Sequence, residues 1–418
     1  MTDTPTELTT ATDRRRLGQL VLIVAVAIAL AMATGSFPTL VVVAAIVLMI
    51  MLHELGHFLV AKASGMKVTE YFLGFGPRLW AVRKGETEYG VKALPLGGYV
   101  RIVGMNNLET VDPADEDRSY RAQSFPKRLA VVLAGSAMHF LIAFFLLVIV
   151  WSAVGIPNYS KAPAPVIGSI SKIKGGASPA QAGGLRVGDR IVALDHQALV
   201  DWEKVRDYIR AHPGQAILFS VERGGRQVDL TVTPANINPE GEKAGFIGVS
   251  PRVPRERVGI PAAFSRSASS FGDDIVLTVK GLASFFSPGQ LKDYSSQLMR
   301  SQPPKSAQDP NGVRFMSPVD LVRVSGQAAE SGVLAVLVFL IGLNIGVGIF
   351  NLVPLLPLDG GHAAIAVYER IRSRRGRPYR ADVAKLLPVT FAVVGVLIVI
   401  VVSSLWLSFT NPMANPFQ

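Results

Sequence analysis

The sequence predicts a polytopic α-helical membrane protein carrying a soluble α+β insert. Three observations lead there. Of 418 residues, 49% are hydrophobic and 17% are charged, whereas ordinary soluble domains carry about 25% charge. Five apolar runs approach the roughly 20 residues that a spanning helix needs: Leu17–Gly35, Thr39–Ala61, Leu129–Trp151, Val333–Pro354 and Val389–Ser408. Between the third and fourth, the pattern changes to short alternating stretches separated by Gly-rich turns, as in a small soluble domain. The chain has no cysteine, which excludes disulfides, thiolate metal sites, iron–sulfur clusters and thiol catalysis. Low charge with long apolar runs argues against a disordered or collagen-like chain.

The first run follows Arg14-Arg15-Arg16 and contains Ala-Met-Ala, so two readings stand: a cleaved signal peptide, or the first arm of a helical hairpin turning near Phe37-Pro38. Its length favours the hairpin. Basic residues orient the spans, because short loops rich in Lys and Arg stay cytoplasmic. Arg14–Arg16 precede the first span. Lys62, Lys67, Arg83, Lys84, Lys127 and Arg128 lie between the second and third, and Arg370, Arg372, Arg374, Arg375, Arg377 and Arg380 between the fourth and fifth. This predicts a multi-pass protein of the cell (plasma or inner) membrane, N-terminus cytoplasmic and insert outside. Much of the net charge of +11 therefore serves topology in the lipid bilayer, and no nucleic-acid partner is expected.

The expected organisation follows. Residues 1–16 form a cytoplasmic tail and 17–61 two spanning helices. Residues 62–128 hold paired strands and a cytoplasmic loop, and 129–154 the third span. A soluble domain takes 163–250 and amphipathic membrane-surface helices take 251–332, with Ile275–Phe286 as one such piece. Residues 333–361 form a spanning helix, 362–388 a basic loop, and 389–418 the last span and tail.

Within the insert, Val166–Ile170 and Arg190–Leu194 read as strands, and Ser178–Gly183 as a short helix. Asp201–Ala211 places Trp202, Val205 and Ile209 on one helical face, while Ile217–Glu222 and Gln227–Val232 alternate around Arg223-Gly224-Gly225. The block Gly184-Leu185-Arg186-Val187-Gly188-Asp189-Arg190-Ile191 resembles the core of a PDZ domain, a fold that binds extended peptides by strand addition. A compact spacer without a ligand is the plainer reading.

The chemistry lies at the end of the second run, in His53-Glu54-Leu55-Gly56-His57. Histidines at i and i+4 share one helical face and can hold one zinc ion. The glutamate between them can then act as general base on water activated by the metal. Charge inside a span costs roughly 2.5–3.5 kcal/mol per residue, so Glu54 calls for a compensating partner. Catalytic zinc usually takes three protein ligands. Asn351 to His362, Asn-Leu-Val-Pro-Leu-Leu-Pro-Leu-Asp-Gly-Gly-His, offers Asp359, with His362 competing. Its two prolines free backbone groups, which a membrane tolerates beside protein or a water-filled cavity.

His53–His57 in a span, the PDZ-like insert and Asn351–Gly361 in a later span together resemble the site-2 protease family, in its bacterial single-PDZ branch. The resemblance runs from about Val41 to Leu407. It implies a zinc metalloendopeptidase that cuts inside membranes, with His53, His57 and Asp359 on Zn2+, Glu54 as base and Asn351 holding substrate backbone. Tyr71-Phe72-Leu73-Gly74-Phe75-Gly76-Pro77 through Gly97-Gly98-Tyr99-Val100 resembles the family's membrane-re-entrant β-hairpin, with turns at Lys84-Gly85 and Pro95–Gly98. Gly74, Phe75, Gly76, Gly97 and Gly98 would then meet a substrate strand. The family commonly shows Gly-Pro and Asn where this chain has Gly135-Ser136 and His139. His139 is either a further polar group at the site or an ordinary buried histidine. The first run looks like an addition to a family core of four spans.

The resemblance further implies single-span membrane protein substrates already trimmed by another protease, such as anti-sigma factors or remnant signal peptides. The PDZ-like domain would either bind the freshly cut C-terminus or act as a size filter. The oligomeric state is left open by the sequence. The competing function is a non-catalytic adaptor that collects peptides, which has no need for His53, Glu54, His57 and Asp359 together. A transporter is disfavoured by the lack of a second half matching the first.

Overall fold

The structure, a computed structural model, describes residues 11–105, 110–171, 178–199, 201–236, 242–299, 315–373, 379–413 and 415–417. It comprises two compact units: Met1–Ile149 with Pro261–Gln418, and Val150–Ile260.

The first unit opens with α1 (Ala11–Ala33) and α2 (Phe37–Ala63). Pro38 starts α2 where a missing N–H costs nothing. Two long strands, β1 (Val68–Lys84) and β2 (Thr87–Ile102), follow. They do not form one simple hairpin. Glu70–Leu73 lies between Gly98–Arg101 on one side and Glu88–Val91 on the other, while Arg78–Lys84 runs beside Thr87–Lys92. Each strand therefore bends back near its middle, and the two make four segments side by side. The bend in β1 is set by Gly74 at φ +88° and Gly76 at φ +83°, a region closed to most side chains. The sequence reading placed the turn at Lys84-Gly85 and the bend at Pro95–Gly98 but missed this third one. α3 (Phe125–Ile149) runs into one π-helical turn, Val150–Val154.

The second unit holds a four-stranded sheet in the order β6-β5-β7-β8, made of β5 (Arg190–Leu194), β6 (Gln197–Ala198), β7 (Ile217–Arg223) and β8 (Arg226–Val232). Beside it β4 (Ile167–Ile170) pairs with β9 (Val249–Pro251), and β3 (Ile156–Pro157) with β10 (Arg255–Glu256). The helices are α4 (Pro179–Ala182), capped by Ser178, and α5 (Trp202–Ala211), capped by Asp201. Each cap satisfies an otherwise orphaned amide. Trp202, Val205 and Ile209 face a core of Ile167, Ile191, Leu194, Ile217, Phe219 and Val221, the residues that alternation in the strands turns inward. Asp189 is buried and accepts bonds from Arg223 Nε and Nη2, both at 2.7 Å, and from the Arg186 amide at 2.8 Å.

The chain returns to the first unit with α6 (Ile260–Phe285), α7 (Pro288–Met299), α8 (Pro318–Ser331), α9 (Val333–Asn351), α10 (Asp359–Arg372) and α11 (Leu387–Thr410). α6 begins fifteen residues before the amphipathic piece read from the sequence, counting from Ile260 to Ile275. Its Ser-rich first half hides the helical face that sets Phe264 and Phe271 against Phe144 of α3.

Among the described residues, four helices are long and apolar enough to cross a membrane: Phe37–Ala63, Phe125–Val154, Val333–Asn351 and Ala384–Thr410; Gly18–Ala33 is a shorter apolar helix. The protein is a multi-pass membrane protein.

A candidate metal centre where two helices cross

His53 and His57 project from the last turns of α2 toward α3. Two small residues make this approach close. A Cβ on Gly56 would lie 2.5 Å from the Ala134 carbonyl oxygen, and one on Gly135 would lie 2.8 Å from His53 Nδ1 and nearer still to His57 Nε2. Helices in membranes pack through such small residues. The imidazoles fill the space that a side chain at 135 would take.

The protonation of His57 follows from geometry. Its Nδ1 lies 2.7 Å from the Val131 carbonyl oxygen. A carbonyl only accepts, so Nδ1 carries a proton, and in the neutral imidazole that a metal requires Nε2 presents its lone pair. This backbone contact is the type that orients metal-binding histidines.

Asp359 arrives from the far end of the sequence. After α9 closes at Asn351, residues 352–358 form successive tight turns, with Leu352, Val353 and Leu358 amides bonded to the carbonyls of Ile349, Phe350 and Leu355. Asp359 is then the first residue of α10. Its Oδ2 lies 3.4 Å from His53 Nε2 and 3.3 Å from His57 Nε2, and the two imidazole nitrogens are 3.3 Å apart. Three electron-pair donors thus form a near-equilateral triangle. The edge of a tetrahedron with metal–ligand bonds of ~2.0–2.1 Å is about 3.3–3.4 Å, so the donor set fits one zinc ion with the fourth corner left open. Buried Asp359 Oδ2 has no hydrogen-bond partner; the groups facing it are the two nitrogens. Among the described residues this is the cluster suited to a metal, and His362, the competing ligand, is not in it.

Glu54 is partly buried one residue from His53. Gly98 packs on it: a Cβ there would lie 2.9 Å from Glu54 Cγ and 3.3 Å from Met51 Sδ. Tyr71 donates to the Met51 carbonyl at 2.8 Å, tying the strands to the same turn of α2. The outer segment Gly98–Ile102 therefore runs past Glu54.

The remaining sequence-predicted residues make contacts of their own. Phe75 stacks on Tyr99 at 5.9 Å between centroids. Gly74 lies against the Leu94 carbonyl, Gly76 against the Leu94 side chain and Gly97 against the Phe75 ring. All four belong to the bends of the strands. Asn351 ends α9.

His139 stands at the site. Its ring centroid is 4.8 Å from that of His53, and its Nδ1 is 3.0 Å from Asn344 Oδ1. Asn344 in turn donates from Nδ2 to the Leu340 carbonyl at 2.8 Å. The sequence reading missed Asn344, although a lone amide in the apolar run Val333–Phe350 was a signal. It also missed the ion pair that holds α10 to α3. Arg128 Nη1, mostly covered, lies 2.7 Å from Oε2 of buried Glu369, and Glu369 Oε1 accepts the Ala381 amide at 2.8 Å.

An intramembrane His-Glu-x-x-His helix facing an aspartate from a later helix defines the class: a membrane-embedded metallopeptidase. The model of peptidase family M50 matches residues 41–398, and the chain belongs to this family, that of the site-2 proteases. It is similar to zinc metalloprotease Rip1 of Mycobacterium tuberculosis, at 36% identity over 90% of this chain and 96% of the relative. Rip1 of Mycolicibacterium smegmatis is 33% identical over the same shares, and zinc metalloprotease RasP of Geobacillus kaustophilus 25% over 78% and 88%. Among solved structures, the PDZ domain of the SdrC-like protein from Listeria innocua aligns with 22% of this chain and 99% of its own, at 22% identity and a TM-score of 0.18.

Proposed function

We propose that this protein is an intramembrane zinc endopeptidase that cuts single-span membrane proteins after another protease has trimmed them. The observation that carries this reading is the triangle of His53, His57 and Asp359 donors, 3.3–3.4 Å apart, beside Glu54 on an apolar helix. Zinc held there supplies Lewis acidity, polarising a scissile carbonyl and making water acidic near neutral pH. Glu54 takes the proton from the attacking water and returns it to the leaving amine. A helical substrate hides its peptide bonds in internal hydrogen bonds, so it must unwind first. Strand pairing with the segment Gly98–Ile102, supported by Gly74, Phe75, Gly76, Gly97 and Asn351, would hold the extended form in front of Glu54.

The same reading places α1 to α3, α9 and α11 across the cell membrane and dips the bent strands into it. It puts the basic segments on the cytoplasmic side and Val150–Ile260 outside. Anti-sigma factors or remnant signal peptides fit as substrates. The PDZ-like unit restrains cleavage of untrimmed chains, either by binding a new C-terminus or by bulk. Its deletion over Val166–Pro234 should raise cleavage of an untrimmed substrate, and unchanged cleavage would remove the gating role.

The test of the central reading is metal content and cleavage measured together. The parent should hold one zinc and cut a single-span peptide in detergent. Glu54→Gln should hold zinc and lose roughly 10²–10⁴ of the rate. A parent that holds no metal after zinc is supplied overturns the ligand assignment and favours the adaptor.

A further inference from the structure

A seam opens between α10 and the start of α11. It has a volume of about 450 Å³ and is lined by the apolar Ile365, Leu386 and Val389 together with Tyr368, Tyr379 and Lys385. Protein does not fill it, because the buried residues of α11, Ser404, Leu407 and Ser408, all lie at the helix's other end.

Three features describe what fits. Ile365, Leu386 and Val389 give it an apolar side where the last spanning run begins, so hydrocarbon rather than water matches that side. The lining is aromatic too, with Tyr368 and Tyr379 rings 5.8 Å apart, a residue type usual at the membrane–water boundary. It is also cationic. The Arg372 guanidinium lies over the Tyr379 ring at 5.3 Å, and Lys385 is exposed. Asp382, the acidic group there, caps the turn into α11 through the Ala384 amide at 3.1 Å and lies 3.8 Å from Lys385. Basic pockets between spanning helices recognise anionic lipid headgroups.

We propose that this seam binds one anionic phospholipid, its acyl chain along Ile365, Leu386 and Val389 and its phosphate at Lys385 and Arg372. An apolar chain joined to an anion satisfies both halves of the lining at once. A soluble anion meets only the charged half, and a zwitterionic lipid brings a cation to Lys385 and Arg372 along with its phosphate.

The test uses the full-length protein in mild detergent with equal amounts of phosphatidylglycerol and phosphatidylcholine, and native mass spectrometry counts the lipid retained. The parent should prefer phosphatidylglycerol by about 25-fold, since each of the two basic groups at such a surface contributes roughly fivefold. Lys385→Glu with Arg372→Glu should bring the ratio to near one at an unchanged thermal midpoint. Ala364→Trp, which fills the seam, should release both lipids. Glycerol 3-phosphate, the headgroup chemistry without chains, should not displace the bound lipid. Equal retention of the two lipids by the parent, or a preference untouched by charge reversal, overturns the proposal. Displacement by glycerol 3-phosphate overturns it too, by assigning the seam to free phosphate.

Discussion

Gly135 of α3 and His53 of α2 are in such close apposition that a single methyl group on the glycine would stand 2.8 Å from His53 Nδ1. The same methyl would press harder on His57 Nε2. Gly135→Ala should therefore push both imidazoles out of the triangle while leaving the helices inserted. The expected result is a zinc affinity lower by about 10–100-fold, the range for disturbing the groups around metal ligands. Competition with a chelator measures it, and zinc retention equal to the parent's would show that α3 can retreat.

Arg128 and Glu369 bond α3 to α10, the helix that begins with Asp359. Removing one partner of a buried pair typically costs 3–5 kcal/mol, while replacing both with apolar residues can be neutral. Glu369→Ala should thus lower the thermal midpoint sharply, and Arg128→Met with Glu369→Leu should recover most of it. A double variant as unstable as the single would mean that the pair itself, not the stranded charge, matters.

Asn344 accepts from His139, which lies against His53. Asn344→Leu leaves a buried N–H without its acceptor, at a cost of about 1–3 kcal/mol. Freed from α9, the His139 ring should lose its fixed position beside His53. The expected signature is a changed visible spectrum of the cobalt-substituted protein. An unaltered spectrum would confine the pair to packing α3 on α9.

In the second unit, burial pushes Asp189 up, but the Arg223 guanidinium and the Arg186 amide overcome this and hold its carboxyl below the usual carboxylate range. A depressed carboxylate stabilises the fold above its unfolded-state pKa of about 3.9 and loses that contribution as pH falls through the folded value. Asp189→Ala should cost about 2–3 kcal/mol at pH 7. The gap between parent and variant should narrow below about pH 4. Unfolding of the PDZ-like unit followed across pH measures both, and a gap constant down to pH 2 would refute the linkage.

How much of this was legible in the sequence depended on the range over which each signal acts. The apolar runs and the i, i+4 histidines are local, and the helices they predict are present at Phe37–Ala63 and Phe125–Ile149. The capping residues Ser178 and Asp201 marked their helices for the same reason. Asp359 was legible because a lone carboxylate after an apolar run demands a partner. The bend of β1 at Gly74 and Gly76 was not, since alternation continues through it and only backbone φ reveals the reversal. Nor were the Arg128–Glu369 and His139–Asn344 pairs, whose members lie more than 200 residues apart and declare themselves only once α3, α9 and α10 have met.

The metal triangle is itself split in this way. Two of its corners are made early, on α2, and the third waits on α10, after the whole second unit and α9. Because a metal site assembled from distant ligands forms only as those ligands come together, a chain still emerging from the ribosome carries His53, Glu54 and His57 without a complete centre. On the proposed assignment a chain lacking α10 has only two of the three donors, so hydrolytic competence cannot precede that helix.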